Sequence, residues 1–314
     1  MTRLRIAAGA AALAMAAGVV EAAATVPNDV HVAGAAGGGR AARALRVGHF
    51  DEDRAMRHVR RLARGIGVRV RGTEGERRGA RYVARRFRSY GYKVFVQRFE
   101  VDGRTSRNVV ARWPGGKRYP VVIGGHIDTV AGSPGGNDNA SGVAIVLEVA
   151  RLVAGKKPAR NARFVAFGSE EYGLNGRHHI GSSVFVNRLG RRGRRRLAGM
   201  VSVDMVGKLL GRPLIVGTAG IGPTVVARSL YRHARAADVE VVRQTTCDCS
   251  DNGPFELAGI PAAFAWSGSE PNYHSPRDTF RSVSKRSVRR SGRAIRAFVR
   301  ILDRRTLRYF RRNG

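Results

Sequence analysis

Apolar residues change their spacing at several points along the chain, and those changes predict its elements. Between 51 and 66, Ala55, Met56, Val59, Leu62, Ala63 and Ile66 recur at intervals of three and four, the stripe of a helix with one buried side. Ala80, Val83, Ala84 and Phe87 repeat that stripe in a second helix over 74–90, which Gly91 is placed to stop. Shorter stretches at 92–99 and 108–113 read as strands, followed by a Pro-Gly-Gly turn. Residues 119–124 (YPVVIG) and 162–167 (ARFVAF) are apolar at most positions, as strands covered on both faces are. A buried helix at 141–153 lies between them. Strands at 197–203, 213–216 and 260–265, a helix at 223–236 and a last helix at 283–302 complete the series. This alternation predicts one α/β domain with a mostly parallel central sheet flanked by helices. The run RLGRRGRRRL at 188–197 breaks the pattern and reads as an exposed connection.

The ends read differently. MTRLR, a short apolar run and Ala22-Ala23-Ala24 make residues 1–24 an export signal, which predicts a secreted or periplasmic protein. That run is too short for a confident membrane span, and no later segment is long enough, so none is expected after cleavage. Residues 25–48, rich in Gly and Ala, read as a flexible lead-in, 49–305 as the folded domain and 306–314 as a basic tail.

Charge narrows the function classes. The 314 residues carry 57 Lys or Arg against 23 Asp or Glu, a formal net charge of +34, and only six of the basic residues are lysine. A hydrophobic content of 43% still supports a sizeable core, which excludes collagen, coiled coil and wholesale disorder. The arginines are spread along the chain, and no zinc-finger spacing, RNP-like segment or basic zipper accompanies them, so no specific nucleic-acid partner is expected. No proline-rich or aromatic-rich segment suggests an external protein partner either, and a monomer is expected. Cys247 and Cys249 are too few for a disulfide framework; a local disulfide and two free thiols are both compatible with their spacing.

Candidate chemistry gathers in GGHIDTV (124–130), GNDNASG (136–142), GSEEYG (168–173), SVDMVG (202–207) and YHSP (273–276). Groups just past the carboxyl ends of strands converge on one crevice in an open α/β sheet. His126, Asp138, Glu171, Asp204 and His274 form a mixed N and O set suited to two divalent ions sharing a carboxylate, with Glu170 left over as a base. Residues 124–174 hold five acids and five bases, so this segment is neutral inside a strongly positive chain. Taken singly, each acid or histidine reads as a helix cap or a hydrogen-bonding loop residue. Glu170-Glu171 alone reads as a solvated pair at a helix start, Asp128 as a turn cap or a carboxylate behind His126, and Tyr273 as a half-buried loop aromatic.

The five motifs in this order, with HVRRLA and RGTEGERRGARYVARRF before them, resemble the M28 family of metallopeptidases, and within it the secreted co-catalytic zinc aminopeptidases. The resemblance spans roughly 50–305 and implies a zinc-exopeptidase-like, phosphorylase/hydrolase-like three-layer sandwich. It implies two divalent ions, zinc foremost, acting on peptide substrates. On it, His126 and Asp204 hold one ion, Glu171 and His274 the other, and Asp138 bridges them. Asp128 stands behind His126, Glu170 is the general base and Tyr273 donates to the oxyanion. Residue reasoning alone leaves open which of Glu170 and Glu171 is the base. The resemblance also implies a cis peptide after Asp138. Asn252 in SDNGPF stands where relatives often have histidine, which touches pocket detail but no expected ligand. Carboxypeptidase or dipeptidase action on the same fold, a one-zinc glutaminyl cyclase and a metal-free binding protein are the alternatives.

Overall fold

The computed structural model describes residues 48–172 and 176–314. The export signal and all but the last residue of the lead-in lie outside the described residues. In chain order the elements are α1 (Glu52–Val59, continuing in wider turns over Arg60–Ile66), α2 (Glu74–Ser89), β1 (Lys93–Val101), β2 (Arg104–Arg112), β3 (Val121–His126), α3 (Gly142–Val153) and β4 (Ala162–Phe167). Then follow α4 (Ile180–Arg188), α5 (Gly190–Arg194), β5 (Gly199–Val203), β6 (Leu214–Thr218), α6 (Val225–Arg235), β7 (Val241–Thr245), α7 (Gly253–Leu257), β8 (Ala262–Trp266), α8 (Lys285–Arg300) and α9 (Arg304–Arg312).

The strands form one eight-stranded sheet in the order β1-β2-β4-β3-β5-β8-β6-β7. Its centre, β4-β3-β5-β8, is parallel throughout, while β1, β2 and β6 join antiparallel to their inner neighbours. Successive side chains of a strand point to opposite faces, and the core divides accordingly. Val121, Ile123, Phe164, Ala166, Val201, Val203, Ala263 and Ala265 pack under α1, α2, α3, α6 and α8, whereas Val122, Val165, Phe167, Met200 and Ala262 pack under α4 and α7. Both faces are covered, as the continuous apolar runs of β3 and β4 require.

Several elements depart from the reading above. β7 exposes four of its five residues at the sheet edge, so the sequence carries no apolar signal for it. α4 and α7 were not expected, and part of the 188–197 connection is the short α5. The basic tail is helical: Asp303 caps α9 by accepting from the Thr306 N–H, and Leu307 and Phe310 are buried. Arginines on every other face of α9 hide its apolar pair from a composition reading. Cys247 and Cys249 form a disulfide.

Phe310 stacks on Phe298 with the ring planes 7° apart. Phe310→Ala should therefore cost about 3–5 kcal/mol of unfolding free energy, as truncation of a buried aromatic does. Denaturant melts of the two proteins check this, and equal midpoints would return 304–312 to the status of a dispensable tail.

Candidate active site

Parallel strands present their carboxyl ends together, and four of them deliver the site. His126 ends β3, Glu170 and Glu171 follow β4, Asp204 follows β5 immediately, and the loop after β8 brings Tyr273 and His274. Asp138 comes from the turn before α3, where the Asp138–Asn139 peptide is cis. That turn lies hard against β5: a Cβ on Gly142 would sit 1.9 Å from the Val203 carbonyl oxygen, so only glycine fits there.

All of the metal ligands expected from sequence meet in one place. His126 Nε2 lies 3.0 Å from Asp138 Oδ1, 3.4 Å from Asp204 Oδ1 and 3.8 Å from Glu170 Oε2. On the other side of Asp138, His274 Nε2 lies 3.3 Å from Asp138 Oδ2 and 2.9 Å from Glu171 Oε2. Asp138 thus offers one oxygen to each imidazole. Two groups have donor atoms close enough to hold a metal ion, His126-Asp138-Glu171 and His126-Glu170-Asp204. Tyr273 lies against the second imidazole, its ring stacked 3.7 Å from that of His274, and it is half exposed.

The supports of these side chains were mostly invisible in the sequence. Asp128, expected behind His126, does more than that. Its two oxygens accept the backbone N–H groups of Glu170 and Glu171, each at 3.1 Å, while the nearest approach of its carboxylate to His126 Nδ1 is 3.7 Å. Asp278 plays the same part for the other loop, accepting from Asn137 N at 2.7 Å and Asp138 N at 2.9 Å. Ser250 donates to Asp204 Oδ2 at 2.8 Å. Arg69, fully buried, donates to the carbonyls of Ile127, Leu62, Gly67, Pro134 and Gly135, tying the first helix to the loop after β3. Arg71 bonds the Glu171 and Arg177 carbonyls and the Asp102 carboxylate, and so holds the loop after β4. No quoted motif contains Arg69 or Asp278, and the motifs that contain Arg71 and Ser250 gave no hint of these contacts. Only long-range contacts reveal the parts played by Arg69, Arg71, Ser250 and Asp278.

Burial and crowding set the electrostatics. Desolvation, reinforced by Asp138, pushes Glu171 up to about 7, and desolvation with Asp204 and Glu171 holds Glu170 well above the usual carboxylate range. Asp251, not anticipated as part of this cluster, is raised to about 7 by burial and by Asp204 and Asp128. Burial alone would lower His274, but Asp138 and Glu171 raise it to about 10. The same two imidazoles override desolvation at Asp138 and hold its carboxyl well below the usual range. Glu171 Oε1, Asp204 Oδ1 and His274 Nε2 are buried without a hydrogen bond of acceptable geometry. Orphaned lone pairs of mixed N and O type, converging on shared space, fit divalent cations.

The sequence of residues 108–299 matches the family model described as Peptidase family M28. Leupeptin-inactivating enzyme 1 of Streptomyces exfoliatus is 33% identical over 208 residues, covering 65% of this chain and 45% of that protein. Aminopeptidase YwaD of Bacillus subtilis (strain 168) is 33% identical over 207 residues, covering 62% and 44%. The chain therefore spans less than half the length of these curated relatives. Among solved structures, the zinc aminopeptidase BSAP from Bacillus subtilis superposes with a TM-score of 0.72 at 21% identity, over 80% of this chain and 94% of that one, which is a likeness of fold.

If Asp278 fixes the turn that carries Asp138, Asp278→Asn sets an NH2 group against one of two backbone N–H donors. Divalent-cation affinity should then fall about 10–100-fold, as loss of a group supporting a ligand does. Titration calorimetry with zinc reads this directly, and unchanged affinity would show that the turn holds its shape without the second acceptor.

Proposed function

The chain belongs to peptidase family M28, and from that premise we propose that it is an exported, monomeric, zinc-dependent aminopeptidase that releases the N-terminal residue of peptides. The observation that carries this reading is the central position of Asp138, with one oxygen 3.0 Å from His126 and the other 3.3 Å from His274. A carboxylate so placed is what two neighbouring cations share. His126 and Asp204 complete one position, and Glu171 and His274 the other. Zinc suits two imidazoles and three carboxylates better than magnesium or calcium, which prefer oxygen alone. When bound, the pair of cations would acidify a water and polarise the scissile carbonyl.

The chain's own groups then divide the work. Glu170, unneeded as a ligand in this scheme, accepts the attacking water's proton and returns it to the leaving amine. Its raised pKa, caused by desolvation and neighbouring acids, suits a group that must hold and release a proton. The Tyr273 hydroxyl donates to the oxyanion that forms on the attacked carbonyl. Asp128 holds the backbone of Glu170 and Glu171 and keeps base and ligand in fixed relation.

The acidic surroundings favour a free amine over a terminal carboxylate. Glu170, with the carboxylate oxygens of Glu171 and Asp204 left over from ion binding, would accept from a free ammonium group, and a blocked amino terminus would leave those oxygens without that donor, which weakens binding. Arg69 and Arg71 are bound to carbonyls, and Lys208 is paired with Glu270 at 2.8 Å, so none of these three is arranged to receive a substrate carboxylate. No described helix is long and apolar enough to cross a membrane. Export rests on the sequence of residues 1–24, and mass spectrometry of protein recovered from medium or periplasm should find a start at or near Thr25.

A panel of peptides in free and N-acetylated forms tests the proposal. Free peptides should lose one residue at a time, and acetylated ones should resist. Comparable turnover of both, or release from the carboxyl end, would overturn aminopeptidase action. Chelation should abolish activity and zinc restore it. Asp138→Ala should lose metal and activity together, whereas Glu170→Gln should keep metal and lose about 10²–10⁴-fold in kcat. Metal loss in Glu170→Gln but not in Glu171→Gln would exchange the two roles.

A further inference from the structure

His179 lies outside every motif that carries the proposed chemistry, yet its ring is buried against the proposed base. Its backbone is left-handed, with φ of 52°, at the start of α4, and its N–H donates to the Glu170 carbonyl at 2.8 Å. This fold of the chain carries the imidazole back over the residues that follow β4. Nε2 comes within 3.1 Å of Glu170 Oε1, and on the opposite side Nδ1 lies 3.5 Å from Asp248 Oδ1. Asp248 is held between Cys247 and Cys249, whose disulfide closes the loop around it.

His178 does not compete for either in-plane position. Its Nδ1 is 3.0 Å from one nitrogen of His179 and 3.1 Å from the other, with ring centroids 4.0 Å apart and planes at 82°. An atom equidistant from both nitrogens at that range must lie over the ring face, since an in-plane approach would collide with the carbon between them. Each ring nitrogen of His179 is thus left facing a carboxylate oxygen, Nε2 that of Glu170 and Nδ1 that of Asp248.

We propose that His179 is a positioning residue for Glu170. The ring N–H on Nε2 pairs with Oε1, and this fixes the carboxylate with Oε2 turned toward His126, 3.8 Å away, where the water would stand. Asp248 and the face of His178 keep the ring from rotating out of that contact. A carboxylate free to swing would spend less time in the orientation that accepts the proton, and errors of that size lower turnover without changing how substrate binds. The inference rests on the reading of Glu170 as the base.

The test uses the zinc-loaded full-length protein with His179→Phe, which keeps a ring of similar size but no N–H, and His179→Gln, which keeps a donor. His179→Phe should lower kcat about 10–100-fold with KM and metal content unchanged, and His179→Gln should recover part of the loss. In a Glu170→Gln background, His179→Phe should cost nothing more, because the group it orients is already gone. Ring ¹⁵N resonances of His179 should also move on Glu170→Gln, a readout that needs no turnover. Wild-type kcat in His179→Phe, an undiminished loss in the Glu170→Gln background, loss of metal in His179→Phe, or immobile ring resonances would each overturn the proposal. A wild-type protein that hydrolyses no peptide would instead overturn the reading of the function, while the resonances would still report the contact.

Discussion

Crowded negative charge, withdrawn from water, is the constraint that this structure is organised around. Asp128, Asp138, Glu170, Glu171, Asp204, Asp251 and Asp278 are all at most 7% exposed, and the carboxylates of Asp138, Glu170, Glu171 and Asp204 converge around His126. Such a group repels itself strongly at short range, the more so away from bulk water. The fold answers in three ways. Imidazoles from two strand ends flank Asp138. Backbone N–H groups take up both oxygens of Asp128 and of Asp278. Arg69 puts one full positive charge beneath the loops, where burial lowers its pKa to about 10 and the field of Asp128, Asp278, Asp138 and Glu171 counteracts that fall. The parallel centre of the sheet makes this possible, because it aims the ends of β3, β4, β5 and β8 at one crevice.

How far the sequence foretold this differs between the site and its supports. His126, Asp138, Glu170, Glu171 and Asp204 were legible because each sits in a short motif beside an apolar strand or helix, and His274, in a loop, because YHSP completes the order of five motifs on which the resemblance rests. Asp278 lies about 140 residues from the backbone it holds, and Arg69 reaches carbonyls up to 66 residues away. Contacts of that kind leave no local period or spacing. His179 escaped for another reason: a left-handed residue at the start of an unforeseen helix turns its ring inward. The fold was legible where strands are buried on both faces. It was not where exposure or charge masks the pattern, as at β7 and at α9, most of which read as a basic tail. The pairing of Cys247 with Cys249, which spacing left open, became visible only in three dimensions.

Arg69 carries a consequence for how the protein and its ions come together. Its five contacts, like those of Asp128 and Asp278, are made between groups of the chain itself. The loops that carry His126, Asp138, Glu170 and Glu171 are thus fastened before any cation arrives. This separates assembly of the cradle from its loading, unlike small zinc domains in which binding and folding are a single event. Ions could then exchange through an already shaped mouth without chain reorganisation. A molecule built in this way would keep its cradle folded on losing metal and could regain its ions without refolding.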